Sequence, residues 1–330
     1  MTRWNDVVDA VLEAPVVTSF TRIGHDVRSR TDRWTPLTED LTGQVVVITG
    51  ATSGLGRSAA TTLARLGATV VLVGRDAGRT TTTRDELAAS TGNDRLEAEV
   101  ADMGDLDAVG ALADALVSRH DRIDVLIHNA GALTSDRRVS PQGIEMTVAA
   151  QVMGPFLLTA RLLPSLRAAR PGRVLTMSSG GMYTAPLTVG GLQMGDDYRG
   201  SEQYARAKRA QVTLNEMWAE RVDPADVVFH ALHPGWADTP GVSTSLPTFA
   251  RVVGPLLRTP DQGADTLVWL ATDDRAIGTS GEFWLDRRPR PIHKLPTTSR
   301  SDAPQRRQRL WDECARCCGL TDSELPPALR

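Results

Sequence analysis

Residues 45–56 read VVVITGATSGLG, a run of four apolar residues that leads into a turn with three glycines. An unbroken apolar run bounded by glycine is typical of a strand buried on both faces, as in a parallel sheet. The glycines allow the backbone to turn sharply and to approach a ligand closely, and a helix that follows presents free N–H groups. This stretch therefore predicts a diphosphate-binding turn, and the alternative is an ordinary strand-to-helix connection.

Strands and helices alternate along the rest of the chain. Apolar runs suited to strands lie near residues 69–73, 95–100, 123–127, 173–177 and 227–232, and helical patterns lie near 58–66, 77–90, 105–119, 143–169, 202–221 and 262–272. This alternation predicts an α/β fold, a doubly wound (Rossmann) parallel sheet with helices on both faces in a single domain. We assign that domain to residues 41–295, with an N-terminal arm at 1–40, a C-terminal tail at 296–330 and a substrate cover near 240–260.

The composition restricts the classes of protein to which this chain can belong. Its 330 residues are 41% hydrophobic and 23% charged, which is typical of a globular protein. The net charge of −3 argues against a nucleic-acid partner. The three cysteines all lie between residues 314 and 318, which favours a reducing, cytoplasmic setting, and they are too sparse to predict a metal site.

The N-terminal arm contains an apolar stripe. Val7, Val8, Val11 and Leu12 share one side of a predicted helix that ends before Pro15. We expect this helix either to pack on the domain or to make a weak contact with a membrane surface.

Tyr204 and Lys208 are candidates for acid–base chemistry because they lie four residues apart on one face of a predicted helix. A free tyrosine has a pKa near ~10, and a neighbouring ammonium together with the positive charge of an oxidised cofactor favours its ionised form. Lowering that pKa by ~3 units requires about 4 kcal/mol of differential stabilisation. The alternative is a solvated helix face. The chain uses arginine at nearly every other basic position, and Lys294 is its only other lysine, so a lysine at position 208 favours a specific role.

Four motifs occur in an order that resembles the short-chain dehydrogenase/reductase family. Thr49–Gly56 is similar to the family's Thr-Gly-x-x-x-Gly-x-Gly turn, and His128–Gly131 resembles its Asn-Asn-Ala-Gly turn. Tyr204 and Lys208 match Tyr-x-x-x-Lys, and residues 234–239 look like its Pro-Gly turn and later threonine. The match covers roughly residues 41–240. Within the family, the segments at 178–182, 233–241 and 262–266 look like the branch of dehydrogenase/reductase member twelve.

The resemblance implies a bound nicotinamide dinucleotide and the residues that hold it. The expected cofactor-binding residues are Gly50, Thr52, Ser53, Gly54, Leu55, Gly56, Arg75, Asp102, Met103, Asn129, Ala130, Gly131, Tyr204, Lys208, Pro234, Gly235 and Thr239. The expected catalytic residues are Ser179, Tyr204, Lys208 and Gln151. Tyr204 would exchange a proton with the substrate oxygen, Ser179 would hydrogen-bond that oxygen, and Lys208 would hold the nicotinamide ribose.

Two of these assignments have alternatives. Asp102 resembles the family's adenine-contacting aspartate but could instead cap the helix that begins near Asp105. Gln151 stands where many members have an asparagine, so it either supports a water relay to Lys208 or weakens it. A catalytically weak, NADP(H)-binding regulatory protein is therefore the alternative to an active enzyme.

The residues after the second strand indicate which dinucleotide the chain prefers. NAD-specific proteins commonly place a carboxylate there, whereas this chain has Gly74 followed by Arg75 and then Asp76. An arginine can pair with a 2′-phosphate through two parallel charge-assisted hydrogen bonds. We therefore predict NADP(H) as the cofactor, and the alternative is that Arg75 is a solvated loop residue.

The segment at 240–257 is apolar and contains several prolines. Together with Met182, Leu187, Leu192 and Trp236, it is expected either to line an apolar cleft or to pack on the sheet. An apolar cleft predicts a small lipophilic carbonyl compound or secondary alcohol as the substrate.

Two further expectations concern loops and partners. The gap between Ser179 and Tyr204 is longer than in most family members, which predicts a substrate-side loop. The helices near 143–169 and 202–221 resemble those that pair in family homodimers and homotetramers, so self-association is expected.

Overall fold

The core of the computed structural model is an eight-stranded sheet, and the structure describes residues 2–239, 251 and 253–327. The strands are β1 (Val45–Thr49), β2 (Thr69–Gly74), β3 (Leu96–Val100), β4 (Val125–His128), β5 (Gly172–Met177), β6 (Val227–Leu232), β7 (Phe283–Leu285) and β8 (Arg288–Pro289). Their order is β3-β2-β1-β4-β5-β6-β7-β8, in which β1 to β7 are parallel and β8 is antiparallel.

Helices cover both faces of this sheet. They are α1 (Thr2–Glu13), α2 (Val16–Phe20), α3 (Arg22–Thr31), α4 (Gly54–Arg65), α5 (Ala77–Thr91), α6 (Leu106–Arg119), α7 (Met146–Val148), α8 (Gly154–Arg167), α9 (Gly200–Ala219), α10 (Pro260–Thr272), α11 (Pro296–Ser301) and α12 (Pro304–Cys317). Val46 and Ile48 of β1 pack in the apolar cluster of α4 and α10, whereas Val47 packs in the cluster of α6, α8 and α9. Successive side chains of a strand point to opposite faces, so a strand covered on both sides needs an unbroken apolar run. The predicted doubly wound α/β fold is confirmed.

The predicted long helix near 143–169 is wrong in one respect, because it is interrupted. A π-helical segment at Ala149–Met153 separates α7 from α8. Gly154 lies so close to the Met103 carbonyl that a β-carbon would overlap it. Met146–Arg167 as a whole is long and apolar enough to cross a membrane by length and composition, but 78% of its most apolar window is buried inside the protein, as in a core helix.

The N-terminal arm folds back onto the edge of the sheet that ends in β7 and β8. Arg288 pairs with Asp32 at 2.8 Å, and Arg290 pairs with Asp9 at 2.6 Å. The apolar stripe predicted for α1 is divided: Val8 and Leu12 are half-buried, whereas 54% of Val7 and 68% of Val11 are exposed. The structure therefore packs this helix on the protein, and a membrane contact stays a prediction.

The C-terminal tail lies across α8 and α9. The ring of Trp311 in α12 stands 4.9 Å from Phe156 and 4.8 Å from Trp218, and Leu310 is fully buried beside it. The two helices that were expected to pair in a dimer are thus covered on this side by the chain's own tail.

The insertion between Ser179 and Tyr204 packs in part on the C-terminal tail, and its role as a substrate-side loop stays a prediction. The amide of Leu187 donates to Ser301 Oγ at 2.8 Å, and its carbonyl accepts from Arg306. Leu187 and Leu192 belong to the same apolar cluster as Trp311. These contacts attach the insertion to the C-terminal tail, which the sequence pattern did not indicate.

Candidate active site

The glycine turn between β1 and α4 has the shape that a diphosphate requires. Gly50 and Gly54 have φ angles of +69° and +52°, in the left-handed region that favours glycine. A β-carbon on Gly56 would overlap the Gly50 carbonyl and the Asn129 amide, so a larger residue would close the turn. Ser53 is the N-cap of α4 and its side chain makes no capping hydrogen bond, which leaves the first-turn N–H groups to a ligand. A diphosphate therefore fits these residues.

The motif after β4 braces this turn. Asn129 Nδ2 donates to the carbonyls of Thr49 and Gly50, both at 3.1 Å. Thr49 Oγ1 accepts from the amides of Asn129 and Ala130, also at 3.1 Å. Two motifs that are about eighty residues apart in sequence thus form one cofactor-binding edge. Thr52, Leu55 and Ala130 are half-buried on this edge.

Arg75 and Asp76 follow β2 on the surface. Asp76 is the N-cap of α5, and its Oδ1 accepts a hydrogen bond from the Arg79 amide at 2.7 Å. This carboxylate is therefore engaged by the helix, while the Arg75 side chain is exposed beside it.

Asp102 and Met103 follow β3 with different surroundings. Asp102 is exposed, and its Oδ1 accepts from the Gly104 amide at 2.8 Å. The alternative prediction that Asp102 caps α6 is wrong, because Asp105 is the N-cap and accepts from Asp107. The Met103 side chain is buried in the core, so only its main chain is placed to meet an adenine.

Tyr204, Lys208 and Ser179 lie together where β5 ends. Lys208 Nζ is 5.3 Å from the centre of the Tyr204 ring and donates to the Met177 carbonyl at 2.9 Å. The Ser179 side chain hydrogen-bonds to the Tyr204 phenol. Ser178 instead is buried and donates to the Lys208 carbonyl at 3.2 Å, so Ser179 is the serine beside the phenol.

Burial controls the protonation of this group. It raises the pKa of Tyr204 to about 12, against the opposing effect of the hydrogen bond from Ser179. It also lowers the pKa of Lys208 to about 7, so the lysine loses its proton near neutral pH. For the chain's own side chains, desolvation of the phenolate therefore decides the direction of the pKa shift of the phenol, and a lowered pKa in the presence of the ammonium and an oxidised cofactor stays a prediction.

Gln151 lies in the π-helical segment and reaches toward the turn after β4. Its Nε2 donates to the Ala132 carbonyl at 2.8 Å, and a β-carbon on Gly131 would lie 3.1 Å from its Cδ. Gln151 also lines a cavity of about 30 Å³ with His128, Gln211 and Asn215. In the part of the chain that the structure describes, each of these four side chains keeps one buried polar atom without a hydrogen-bond partner. A cavity of this size and polarity has room for one or two waters.

The Pro234–Gly235 turn follows β6 and rests on Arg258. Gly235 has a φ of +75°, and a β-carbon there would overlap the Arg258 guanidinium. Thr239 is half-buried a few residues further on. The sequence analysis missed Arg258, since its partners Pro234 and Phe20 are 24 and 238 positions away and no local pattern marks it.

The expected lining of an apolar cleft is only partly placed. Met182, Leu187 and Leu192 are at most 3% exposed and belong to the core, so their assignment to a cleft is wrong. Trp236 is half-buried beside the Pro234–Gly235 turn. Residues 240–250 and Val252 lie outside the described residues.

The profile of the family described as short chain dehydrogenase matches residues 44–248, which include the glycine turn, Ser179, Tyr204 and Lys208. This chain belongs to the short-chain dehydrogenase family. As a member, it is an oxidoreductase that interconverts CH–OH and C=O groups with a nicotinamide cofactor.

Three similar proteins place the chain within this family. Human "Dehydrogenase/reductase SDR family member 12" is 37% identical over 270 residues, which cover 81% of this chain and 84% of that protein. Human "Retinol dehydrogenase 13" is 28% identical over 294 residues, which cover 86% and 87% of the two chains. A crystal structure of a Beutenbergia cavernae protein with bound NADP at low occupancy is 28% identical with a TM-score of 0.62, covering 75% of this chain and 96% of that one. The expected resemblance to the member-twelve branch is confirmed.

Proposed function

We propose that this short-chain dehydrogenase uses NADP(H) to interconvert a lipophilic carbonyl compound and its secondary alcohol, with Tyr204 as the acid/base. The proposal rests on the grouping of Tyr204, Ser179 and Lys208 at the end of β5. This is the carboxyl edge of the sheet, where the glycine turn and the Pro234–Gly235 turn also lie and where ligands of such sheets bind.

The three side chains have complementary roles in this proposal. A bound dinucleotide would exchange a hydride with the substrate carbon. Ser179, already hydrogen-bonded to the phenol, would also bond to the substrate oxygen and orient it. Tyr204 would donate its proton to that oxygen in the reductive direction and accept one in the oxidative direction. Burial keeps the phenol protonated, which suits donation.

Lys208 would hold the nicotinamide ribose and exchange a proton near neutral pH. A buried amine with a pKa of about 7 is half protonated in that range, which suits proton transfer to a neighbouring hydroxyl. The Met177 carbonyl orients this amine toward the end of β5.

The preference for NADP(H) is supported by the charges after β2. The Asp76 carboxylate, which would repel a 2′-phosphate, accepts a hydrogen bond from the Arg79 amide of α5, whereas the Arg75 guanidinium is exposed and able to pair with that phosphate. The NADP found in the Beutenbergia cavernae structure is consistent with this preference.

The lipophilic character of the substrate is supported by two observations. Trp236 presents a half-buried apolar ring next to the Pro234–Gly235 turn. The name of a similar protein, retinol dehydrogenase 13, refers to a lipophilic alcohol.

The test is NADPH oxidation by the purified protein with a panel of aldehydes, aryl ketones, retinal and quinones. We expect Tyr204→Phe to lower turnover by about 10²- to 10⁴-fold, because the general acid is lost, with little change in NADPH affinity. Tyr198→Phe is the matched control, since that phenol is bonded to Glu145 and should be dispensable for turnover. Wild-type turnover in Tyr204→Phe would refute the assigned role.

A catalytically weak NADP(H)-binding regulatory protein is the second candidate, and the surroundings of Gln151 favour it. The side chains of Gln151 and Lys208 donate to different carbonyls, those of Ala132 and Met177, so no direct amide–amine bond supports the lysine. Tight NADPH binding by the wild-type protein without turnover on the whole panel would support this candidate and refute the enzyme.

A further inference from the structure

The N-terminal arm contacts the two loops that carry the proposed chemistry. Phe20, the last residue of α2, is 5% exposed. Its ring stands edge-on to His233 with centroids 4.2 Å apart, and edge-on to Trp236 at 5.8 Å. A β-carbon on Gly180 would lie 2.6 Å from Phe20 Cε2. The Phe20 ring thus fills the space between Gly180, which follows Ser179, and the two residues that flank the Pro234–Gly235 turn.

Main-chain hydrogen bonds fix Phe20 in this place. The Trp236 amide donates to the Phe20 carbonyl at 2.6 Å. Arg258 Nε donates to the carbonyls of Phe20 and Thr21, both at 3.2 Å, while the Arg258 amide donates to the Trp236 carbonyl at 2.8 Å. The arm, the Pro-Gly turn and the residues before α10 are therefore joined by main-chain hydrogen bonds and by the Arg258 side chain.

A buried ionic cluster holds the arm against the domain. Arg28 and Arg258 both pair with Asp286, at 2.7 Å and 2.5 Å, and all three side chains are 1% exposed. Arg28 also pairs with Asp9 at 2.7 Å and with Glu13 at 3.0 Å. Buried charges are stable only when their partners are in place, so this cluster ties the arm to one position. Arg28, Arg258 and Asp286 all lie outside residues 44–248, the part that matches the family profile.

His233 links Phe20 to the serine loop. Its Nδ1 accepts from the Gly235 amide at 3.3 Å, which places the proton on Nε2. That Nε2 would lie 3.0 Å from a β-carbon on Gly180. Burial lowers the pKa of His233 to about 3, so the ring stays neutral and packs as a rigid spacer. Phe20 and His233 therefore both lie against Gly180, and His233 is also bonded to Gly235.

We propose that the N-terminal arm is a working part of the active centre, in which Phe20 is a positioning residue that sets Ser179 and the Pro234–Gly235 turn against the nicotinamide end of the cofactor. This inference rests on the proposed function. It assigns to a segment outside the family profile a role in the geometry of the chemical step, whereas the phosphates are expected to bind at the glycine turn and Arg75, away from the arm.

The test compares Phe20→Ala with Val17→Ala, a control in the same helix at a residue that is 48% exposed. We expect Phe20→Ala to lower kcat by about 10- to 100-fold, the cost of a small misplacement of reacting groups. We also expect it to weaken NADPH binding while leaving the affinity for 2′,5′-ADP unchanged, since 2′,5′-ADP lacks the nicotinamide end. Val17→Ala should match the wild type in both measurements. Phe20→Leu should restore part of the lost kcat, and it serves as the test variant if Phe20→Ala does not fold.

Two outcomes would overturn the proposal. One is an equal loss of NADPH and 2′,5′-ADP affinity in Phe20→Ala, which indicates a nonspecific effect on the structure of the whole cofactor site, and the other is wild-type values for kcat and both affinities. The binding comparison does not depend on turnover. A wild-type protein without activity on any substrate would therefore refute the proposed function, and the two ligands would still test the arm.

Discussion

Replacing Lys208 by methionine removes an ammonium group that the fold buries, and the effect on stability follows from the pKa of that group. Lys208 is 3% exposed, and burial lowers its pKa from 10.5 to about 7. In the unfolded chain the lysine has its ordinary pKa of 10.5, so between pH 7 and pH 10.5 the unfolded chain binds more protons than the folded protein. The free energy of unfolding of the wild type therefore rises with pH in this window and loses that gain as pH falls to 7.

The size of this effect is set by the shift. The free energy of unfolding rises by at most about 1.4 kcal/mol per pH unit. Because Lys208 of the folded protein is only half deprotonated at pH 7, the rise between pH 7 and pH 9 is about 2 kcal/mol. Methionine has a similar length and does not titrate. The difference in free energy of unfolding between the wild type and Lys208→Met should therefore grow by about 2 kcal/mol across this range.

Urea unfolding followed by tryptophan fluorescence at pH 6, 7, 8 and 9 measures this difference. Lys294→Met is the matched control, because it removes the only other lysine, which pairs with Glu13 at the surface of the arm. This control should keep the wild-type slope. Parallel pH profiles for the wild type and Lys208→Met would refute the conclusion that the folded protein releases the lysine proton near neutral pH.

Three further substitutions test other parts of the structure. Arg75→Ala should weaken NADPH binding by about 10- to 100-fold, because charge-assisted hydrogen bonds to the 2′-phosphate are lost, and it should leave NADH binding unchanged. Arg79→Ala, at another exposed arginine, is the control, and equal losses for both dinucleotides would contradict the prediction. Trp311→Ala should lower the free energy of unfolding by about 3–5 kcal/mol, because a buried ring that contacts Phe156 is removed, and a loss below ~1 kcal/mol in urea titrations would show that the tail is not docked there. Asp286→Asn keeps a side chain that tolerates the local φ of +54° but removes the charge between two buried arginines. The free energy of unfolding should therefore fall by about 3–5 kcal/mol, and an unchanged value in the same assay would disprove the cluster's role.

Contiguous residues carried most of the information about the sheet and the cofactor edge. Val45–Thr49 is apolar at every position except the last because both of its faces are covered. Glycines mark the turn after it, because Gly50 and Gly54 have positive φ angles and Gly56 leaves no space for a β-carbon. Tyr204 and Lys208 share a helix face because the helical repeat places residues four apart on one side. These properties are local in the chain, so periodicity and turn chemistry were sufficient to predict them.

Properties that depend on distant neighbours could not be predicted in this way. Arg28 and Asp286 are 258 positions apart, and nothing near either residue indicates that they pair. Leu187 and Leu192 have the composition of a cleft wall but are covered by the tail. The raised pKa of Tyr204 in the chain alone has the same origin: the lysine four residues away is visible in the spacing, but the loss of water around the phenol arises only when separate segments of the chain pack around it.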